Sequence, residues 1–251
     1  MTPLRVALVG AAGRMGQAIV ACAAREPGVY SVEAHLGRED DLAGVANCDA
    51  VVDFSSPTVT SNVLAACRTA HRPLVLGTTG HDDVVRAAIR EAACEIPVVF
   101  AANFSVGVNA LFWLTRQAAR ILGPTFDLEV IEVHHRLKKD APSGTARRLA
   151  EILAQVRGLD YQADARHGRE GLVGARTPVE IGVHAVRGGD VVGEHTVLFA
   201  DAGERVELVH RATSRETFAA GALRAAAWLA GRPPALYDME DVLGLRAVFQ
   251  P

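Results

Sequence analysis

Leu4-Arg5-Val6-Ala7-Leu8-Val9-Gly10-Ala11-Ala12-Gly13-Arg14-Met15-Gly16 decides the fold. The apolar run Leu4–Val9 reads as a short buried strand, and the Ala-rich stretch Met15–Ala24 reads as a helix. Between them lies a G-x-x-G-x-x-G turn. In a strand–turn–helix unit, glycines let the backbone turn tightly and approach a pyrophosphate. The anion then sits at the helix N-terminus, where unpaired N–H groups and the helix dipole favour negative charge. Ala12 stands where the commonest dinucleotide fingerprint has glycine, so the motif alone also fits a turn that merely packs helix on strand. Its place in a βαβ unit favours nucleotide binding.

Outward from this turn, strands and helices alternate. Tyr30–Leu36, Ala50–Phe54, Pro73–Leu76 and Pro97–Ala101 read as strands. Ser56-Pro57 resembles a cap and first helical residue opening a helix to about Ala70, and a second helix runs from about Asp82 to Cys94. Such alternation implies an α/β fold: a doubly wound, Rossmann-like parallel sheet. Gly77-Thr78-Thr79-Gly80 and Ala102-Asn103-Phe104-Ser105 end the last two strands, where ligands of open sheets bind. Ordinary turn chemistry explains either loop alone equally well.

Past Asn103 the pattern changes. Asn109–Leu122 and Ser143–Val156 read as helices, Leu128–Val133 as a strand and the polar Tyr161–Thr177 as a long loop. Val179–Val186, Val191–Ala200 and Arg205–Thr213 read as strands joined by tight Gly188-Gly189-Asp190 and Asp201-Ala202-Gly203-Glu204 turns. This marks a second α+β domain with a mixed or antiparallel sheet. Thr217–Ala230 is a further Ala-rich helix. We place a dinucleotide-binding domain at 1–104 plus 216–251 and a substrate-binding and oligomerisation domain at 105–215.

With 251 residues, 49% hydrophobic and 22% charged, the chain has enough apolar sequence for such cores. A net charge of −3 gives no electrostatic case for nucleic acid or an anionic membrane. Cys22, Cys48, Cys67 and Cys94 form no C-x-x-C pair and read as free thiols. Leu4–Val9 is too short for a signal peptide or a span, so the expected location is the cytoplasm.

The most informative stretch runs from Glu129 to Ala146. A strand delivers His134, His135, Arg136, Lys138 and Lys139, then Asp140-Ala141-Pro142 leads into Ser143-Gly144-Thr145 at a helix start. That start suits a carboxylate, through backbone N–H groups and the Thr145 hydroxyl. A histidine and a lysine near the anion suit proton donation. The blander readings are a solvated basic turn and a simple Ser143 cap. Adjacent histidines on a strand face opposite ways, and no spaced third ligand supports a metal.

This segment resembles the signature of the 4-hydroxy-tetrahydrodipicolinate reductase (dihydrodipicolinate reductase) family. The likeness extends over nearly the whole chain, through Val9–Gly16, Asp53-Phe54, Gly77–Gly80, Phe100–Asn109, Gly193–Thr196 and Ser214-Arg215. The resemblance implies NADPH or NADH as cofactor, a cyclic imine dicarboxylate as substrate, no metal and a homotetramer. By position it implies that Gly10, Ala11, Ala12, Gly13, Arg14 and Met15 hold the pyrophosphate. Gly77, Thr78, Thr79, Ala101, Ala102, Asn103 and Phe104 then line the nicotinamide side. His134 and Lys138 take the acid/base roles, and His135, Gly144 and Thr145 bind substrate. Two other readings use the same scaffold: a diverged relative acting on another imine, and a catalytically silent dinucleotide-binding regulator. Retention of His134, Lys138 and Ser143-Gly144-Thr145 argues against the first, and retention of His134 and Lys138 against the second.

One position departs from the common pattern. The strand end that often carries a carboxylate for the adenosine ribose is Gly37, followed by Arg38. Gly37 removes the repulsion toward a 2′-phosphate, and the Arg38 guanidinium suits that phosphate; the blander readings are a solvated Arg38 and a Glu39 turned into the ribose position. NADPH should therefore be used at least as well as NADH. Steady-state kcat/KM for both cofactors tests this, and an NADH preference above about tenfold (about 1.4 kcal/mol) overturns it.

Overall fold

The computed structural model describes residues 2–37 and 40–246. The chain divides into two compact units, one of residues 1–106 and 215–251, the other of residues 107–214. In the first unit the elements run β1 (Leu4–Val9), α1 (Arg14–Arg25), β2 (Tyr30–Leu36), β3 (Ala50–Asp53), α2 (Thr60–Ala70), β4 (Leu74–Leu76), α3 (Asp83–Ala92) and β5 (Pro97–Phe100). The second unit carries most of α4 (Val106–Leu122), then β6 (Asp127–His134), α5 (Gly144–Arg157), α6 (Tyr161–Asp164), β7 (Ala165–His167), β8 (Ile181–Arg187), β9 (Gly193–Asp201) and β10 (Glu204–Ala212). The chain then returns to the first unit as α7 (Glu216–Leu229), β11 (Ala235–Tyr237) and α8 (Met239–Val242).

The first sheet is parallel throughout, in the order β11-β5-β4-β3-β1-β2. Its inner strands β1, β3, β4 and β5 are largely apolar on both faces because helices cover both. Val6 and Leu8 of β1 pack with Ile19 of α1 and Ala222, Leu223 and Ala226 of α7. Ala7 and Val9 point the other way, onto Val63 and Cys67 of α2 and Ile89 of α3. The sheet is thus doubly wound. Its sixth strand, β11, has no signal in the sequence, because three residues are too few to show a period.

Helix α2 starts later than the sequence suggests. Ser56-Pro57 opens a turn, with the Val59 N–H donating to Ser56 O at 3.1 Å, and the helix begins only at Thr60 behind an N-cap, Val59, that gives no side-chain hydrogen bond. Ser56 spends its hydroxyl on Thr58 instead, at 3.0 Å.

The second sheet is mixed, in the order β10-β9-β6-β8-β7. β9 and β10 form the expected hairpin, joined at Asp201↔Glu204. β8 and β9 do not pair: β6 lies between them, parallel to β8 and antiparallel to β9. The Gly188-Gly189 segment therefore crosses the end of β6, with the Gly188 N–H donating to His134 O at 2.9 Å and the Arg136 N–H to Gly189 O at 3.1 Å. The stretch read as a loop from Tyr161 holds a short helix and an edge strand, β7, before the true loop begins. Arg169 and Arg176 pin that loop to the sheet through Glu129, at 2.7 and 3.1 Å. Burial alone would raise the Glu129 carboxyl, but Arg169, His184 and Arg176 outweigh it and pull its pKa down to about 2.

Alternate residues of β6 face opposite ways. Leu128 and Val130 pack with Leu149, Ala150 and Leu153 of α5, and Glu132 and His134 continue that buried row.

Gly221 shows how tightly the first unit closes. A Cβ there would lie 1.8 Å from Phe104 O, a backbone atom. Alanine gains about 1 kcal/mol of helix propensity over glycine, but overpacking typically costs about 1–3 kcal/mol and this overlap lies at the severe end. Gly221→Ala should therefore destabilise the protein by about 1–2 kcal/mol, read as a lower denaturant midpoint. A midpoint at or above wild type would show that α7 shifts freely.

Candidate active site

Two constellations carry chemistry, one in each unit. In the first, Gly10, Ala11, Ala12, Gly13, Arg14 and Met15 form the turn between β1 and α1. Gly77, Thr78 and Thr79 follow β4, and Ala101, Ala102, Asn103 and Phe104 follow β5. All lie at the carboxyl edge of one parallel sheet, the ligand edge of such folds. Helix α1 receives no side-chain cap and has no acidic residue in its first turn, which leaves its N–H groups to an anion.

The glycines are required by contact. Gly10 has φ +85° and a Cβ on it would meet Phe54 O at 2.7 Å; one on Gly16 would meet Gly10 O at 2.3 Å. A Cβ on Gly77 would meet the Phe54 ring at 2.3 Å. The segment after β3 is therefore the hub on which the neighbouring loops lean. Ser55 N–H donates to Asp53 Oδ1 at 2.8 Å and to Thr78 Oγ1 at 3.0 Å. Asp53 has no exposed surface, and burial raises its carboxyl above the usual range, partly offset by Ser55. The Phe104 side chain is core, 1% exposed and edge-on to Phe54 at 5.4 Å. A narrow dinucleotide cradle fits these residues.

A cavity of about 300 Å³ continues this edge, lined in part by Val9, Gly37, Asp40, Asn62 and Ala66. Arg38 lies outside the described residues. Asp40 accepts the Gly37 N–H at 2.6 Å, so a carboxylate does stand at the end of β2, three residues beyond the position where the sequence lacks one.

In the second unit, His134 closes β6, His135 and Lys138 lie in the loop after it, and Ser143 caps α5 ahead of Gly144 and Thr145. Ser143 Oγ accepts the Ala146 N–H at 3.1 Å. Nothing stands within 4 Å of a Cβ built on Gly144, so that side of the helix start is open. Lys138 Nζ lies 2.9 Å from Asp140 Oδ2, which lowers the Asp140 carboxyl.

Beneath this loop sit residues that reading the sequence did not assign. Glu132, with no exposed surface, bonds His134 Nδ1 through Oε2 and accepts the Ser143 N–H through Oε1 at 3.0 Å. Arg187 grips both oxygens, at 2.8 and 2.7 Å, and also donates to Asp140 O at 2.7 Å. Burial alone would raise the Glu132 carboxyl, but Arg187, His134 and Ser143 outweigh it and hold it below the usual range. His134 is lowered chiefly by burial, with Lys138 and Arg187 adding to it and Glu132 opposing it. His195 stacks edge-on to His134 at 5.2 Å, bonds Ser143 Oγ at 3.1 Å, and is pushed down to about 3 by burial and by His134. Glu132 had a local signal: it stands two residues before His134, hence on the same strand face. Arg187 had none and His195 only its place in the Gly193–Thr196 likeness, since strand pairing is what brings β8 and β9 beside β6. Among the described residues no cluster of His, Cys, Asp or Glu is placed to hold a metal ion.

Residues 4–104 match the family model described as dihydrodipicolinate reductase, N-terminus, and residues 107–243 match its C-terminus. The chain belongs to the dihydrodipicolinate reductase family. The reductase is 54% identical to the 4-hydroxy-tetrahydrodipicolinate reductase of Akkermansia muciniphila, over 96% of this chain and 98% of that one. It is 48% identical to that of Halorhodospira halophila, over 96% and 99%. Its fold is similar to that of the dipicolinate-bound dihydrodipicolinate reductase from Paenisporosarcina sp. TG-14, with a TM-score of 0.75 and 24% identity over 96% of this chain and 99% of that one. The reductase is therefore an oxidoreductase with a pyridine-nucleotide-binding domain. The C-terminal family model includes α7, although α7 packs in the first unit.

Proposed function

We propose that this reductase acts in the diaminopimelate and lysine pathway, reducing 4-hydroxy-tetrahydrodipicolinate to tetrahydrodipicolinate with NADH or NADPH, and that His134 and Lys138 are its proton donors. The observation that carries the residue roles is the network in the second unit. One buried carboxylate and one arginine gather His134, the Lys138 loop and the start of α5. When bound, the nicotinamide would supply the hydride, taken up by the conjugated imine that the substrate becomes once its 4-hydroxyl has left as water.

Electron density then builds on the imine nitrogen. The Lys138 ammonium stabilises that charge, and His134 assists proton transfer. The N-terminus of α5, with Gly144 and Thr145, holds a substrate carboxylate by backbone N–H groups, the helix dipole and a hydroxyl. His135 contacts the same dianionic substrate. In the first unit, residues 10–15 hold the pyrophosphate, and the loops after β4 and β5 line the nicotinamide, Phe104 through its backbone. Asp40 beside Gly37 suits the ribose hydroxyls of NADH, whereas Arg38 suits a 2′-phosphate.

We further propose a cytoplasmic homotetramer built on the open face of the second sheet. Ile131, Val133, Val186, Leu198 and Val209 share that face by register, and Val186 and Val209 are 47% and 41% exposed. Light scattering at micromolar concentration should give four times the chain mass, and a monomer would remove this proposal.

Lys138→Ala should lower kcat by about 100- to 10,000-fold, the usual worth of a positioned acid, and leave cofactor affinity nearly unchanged. The assay follows NAD(P)H absorbance at 340 nm, with substrate made in situ from aspartate semialdehyde and pyruvate. Near wild-type kcat would take Lys138 out of the mechanism. His134→Ala should give a smaller loss of the same kind.

A further inference from the structure

We infer that Glu132 and Arg187 are positioning residues, a buried pair that fixes His134, the Lys138 loop and the carboxylate-binding start of α5 at one mutual spacing. Three observations converge. First, Glu132 has no exposed surface and its two oxygens serve different parts of the site. Oε2 holds His134 Nδ1, and Oε1 holds the Ser143 N–H at the N-cap of α5. Second, Arg187 stands opposite His134 in the β6–β8 register and binds both Glu132 oxygens. The same guanidinium donates to Asp140 O at 2.7 Å, and Asp140 holds Lys138 through its side chain. The loop 135–143 is thus fastened at two points to one ion pair. Third, a Cβ on Gly193 would stand 3.0 Å from His134 Nε2, so β9 comes close on the side away from Glu132 and leaves the ring little room to turn.

A carboxylate on Nδ1 favours the form with a proton there, which leaves Nε2 as the nitrogen that exchanges protons with substrate. It also supports the protonated ring. The groups around His134 are Glu132 on its own strand, Arg187 on β8, His195 on β9 with His210 behind it on β10, and Lys138 in the loop. Glu132 is the one anion among these charges close to the ring, so its loss leaves His134 facing cations and neutral histidines. This rests on the reading of His134 as a proton donor, and the test separates the two.

The experiment compares pH profiles of kcat/KM for wild type, Glu132→Gln, Glu132→Asp, Arg187→Lys and His134→Ala, with circular dichroism to confirm folding. In Glu132→Gln the limb where activity falls on raising the pH should move down by about one unit or more, the effect of losing an opposite charge in contact. Its kcat should fall by about 10- to 1,000-fold, the amide being able to turn an N–H toward Nδ1. Glu132→Asp should recover part of both. Arg187→Lys keeps the charge but loses the two-point grip, so it should raise substrate KM with a smaller shift of the limb. If Glu132→Gln does not fold, Arg187→Lys carries the test, and an unchanged KM and limb there overturn the inference. Wild-type kcat and an unmoved limb in Glu132→Gln, beside an impaired His134→Ala, overturn it while sparing the role of His134. A fully active His134→Ala overturns both.

Discussion

A carboxylate sealed from water demands donors on every side, and Glu132 imposes that demand on the second unit. Desolvating a charge without compensation costs several kcal/mol. The sheet meets the cost with a guanidinium from β8, a ring nitrogen from β6 itself and a backbone N–H from the start of α5. Those three groups lie on separate elements, so satisfying one carboxylate fixes how the elements meet. A buried ion pair adds little net stability over a well-packed apolar pair, whereas losing one partner costs about 3–5 kcal/mol. What it contributes is geometry: a histidine, a lysine loop and a helix N-terminus tied to one ion pair.

The first unit solves a different problem by steric means. Its loops approach one another closely, and side chains would keep them apart. Gly10 lies against the Phe54 carbonyl, Gly77 against the Phe54 ring and Gly16 against Gly10 O. Asp53 and Ser55 then tie the β3 loop to Thr78. The carboxyl edge of the first sheet is a place where backbones touch, while the end of β6 is a place where charges are shared. The two solutions suit the two ligands proposed for them. A pyrophosphate is held by N–H groups that need closeness, and an imine under reduction needs acids poised at a set distance.

Much of this was legible along the chain. The strand β1, the glycine turn, the alternation of strands and helices and the Ser143 cap are local matters, decided by residues within a turn or two of each other. Where the signal was weak, the structure shows why. Ser56 bonds its near neighbour Thr58 rather than capping α2, and β7 and β11 have three residues each. Gly188-Gly189 has the chemistry of a hairpin turn, yet β6 takes the place between β8 and β9. Pairing strands that are distant in sequence leaves no mark on the turn itself.

By itself, then, the sequence determined the identity of the chemistry. It set a dinucleotide turn that only glycines permit, a histidine and lysine near a helix start, and a motif set specific enough to name a family. Tertiary structure alone decided which other groups join them. Arg187 and His195 reach His134 through register across three strands, and Glu132 becomes a shared anchor only because α5 brings the Ser143 N–H to it. Asp40 likewise acquires a place at the end of β2 by accepting the Gly37 N–H. Residue type and short spacing are written in the chain, but the cost of burying a charge is settled only where distant segments meet, and that is a property of the packed molecule.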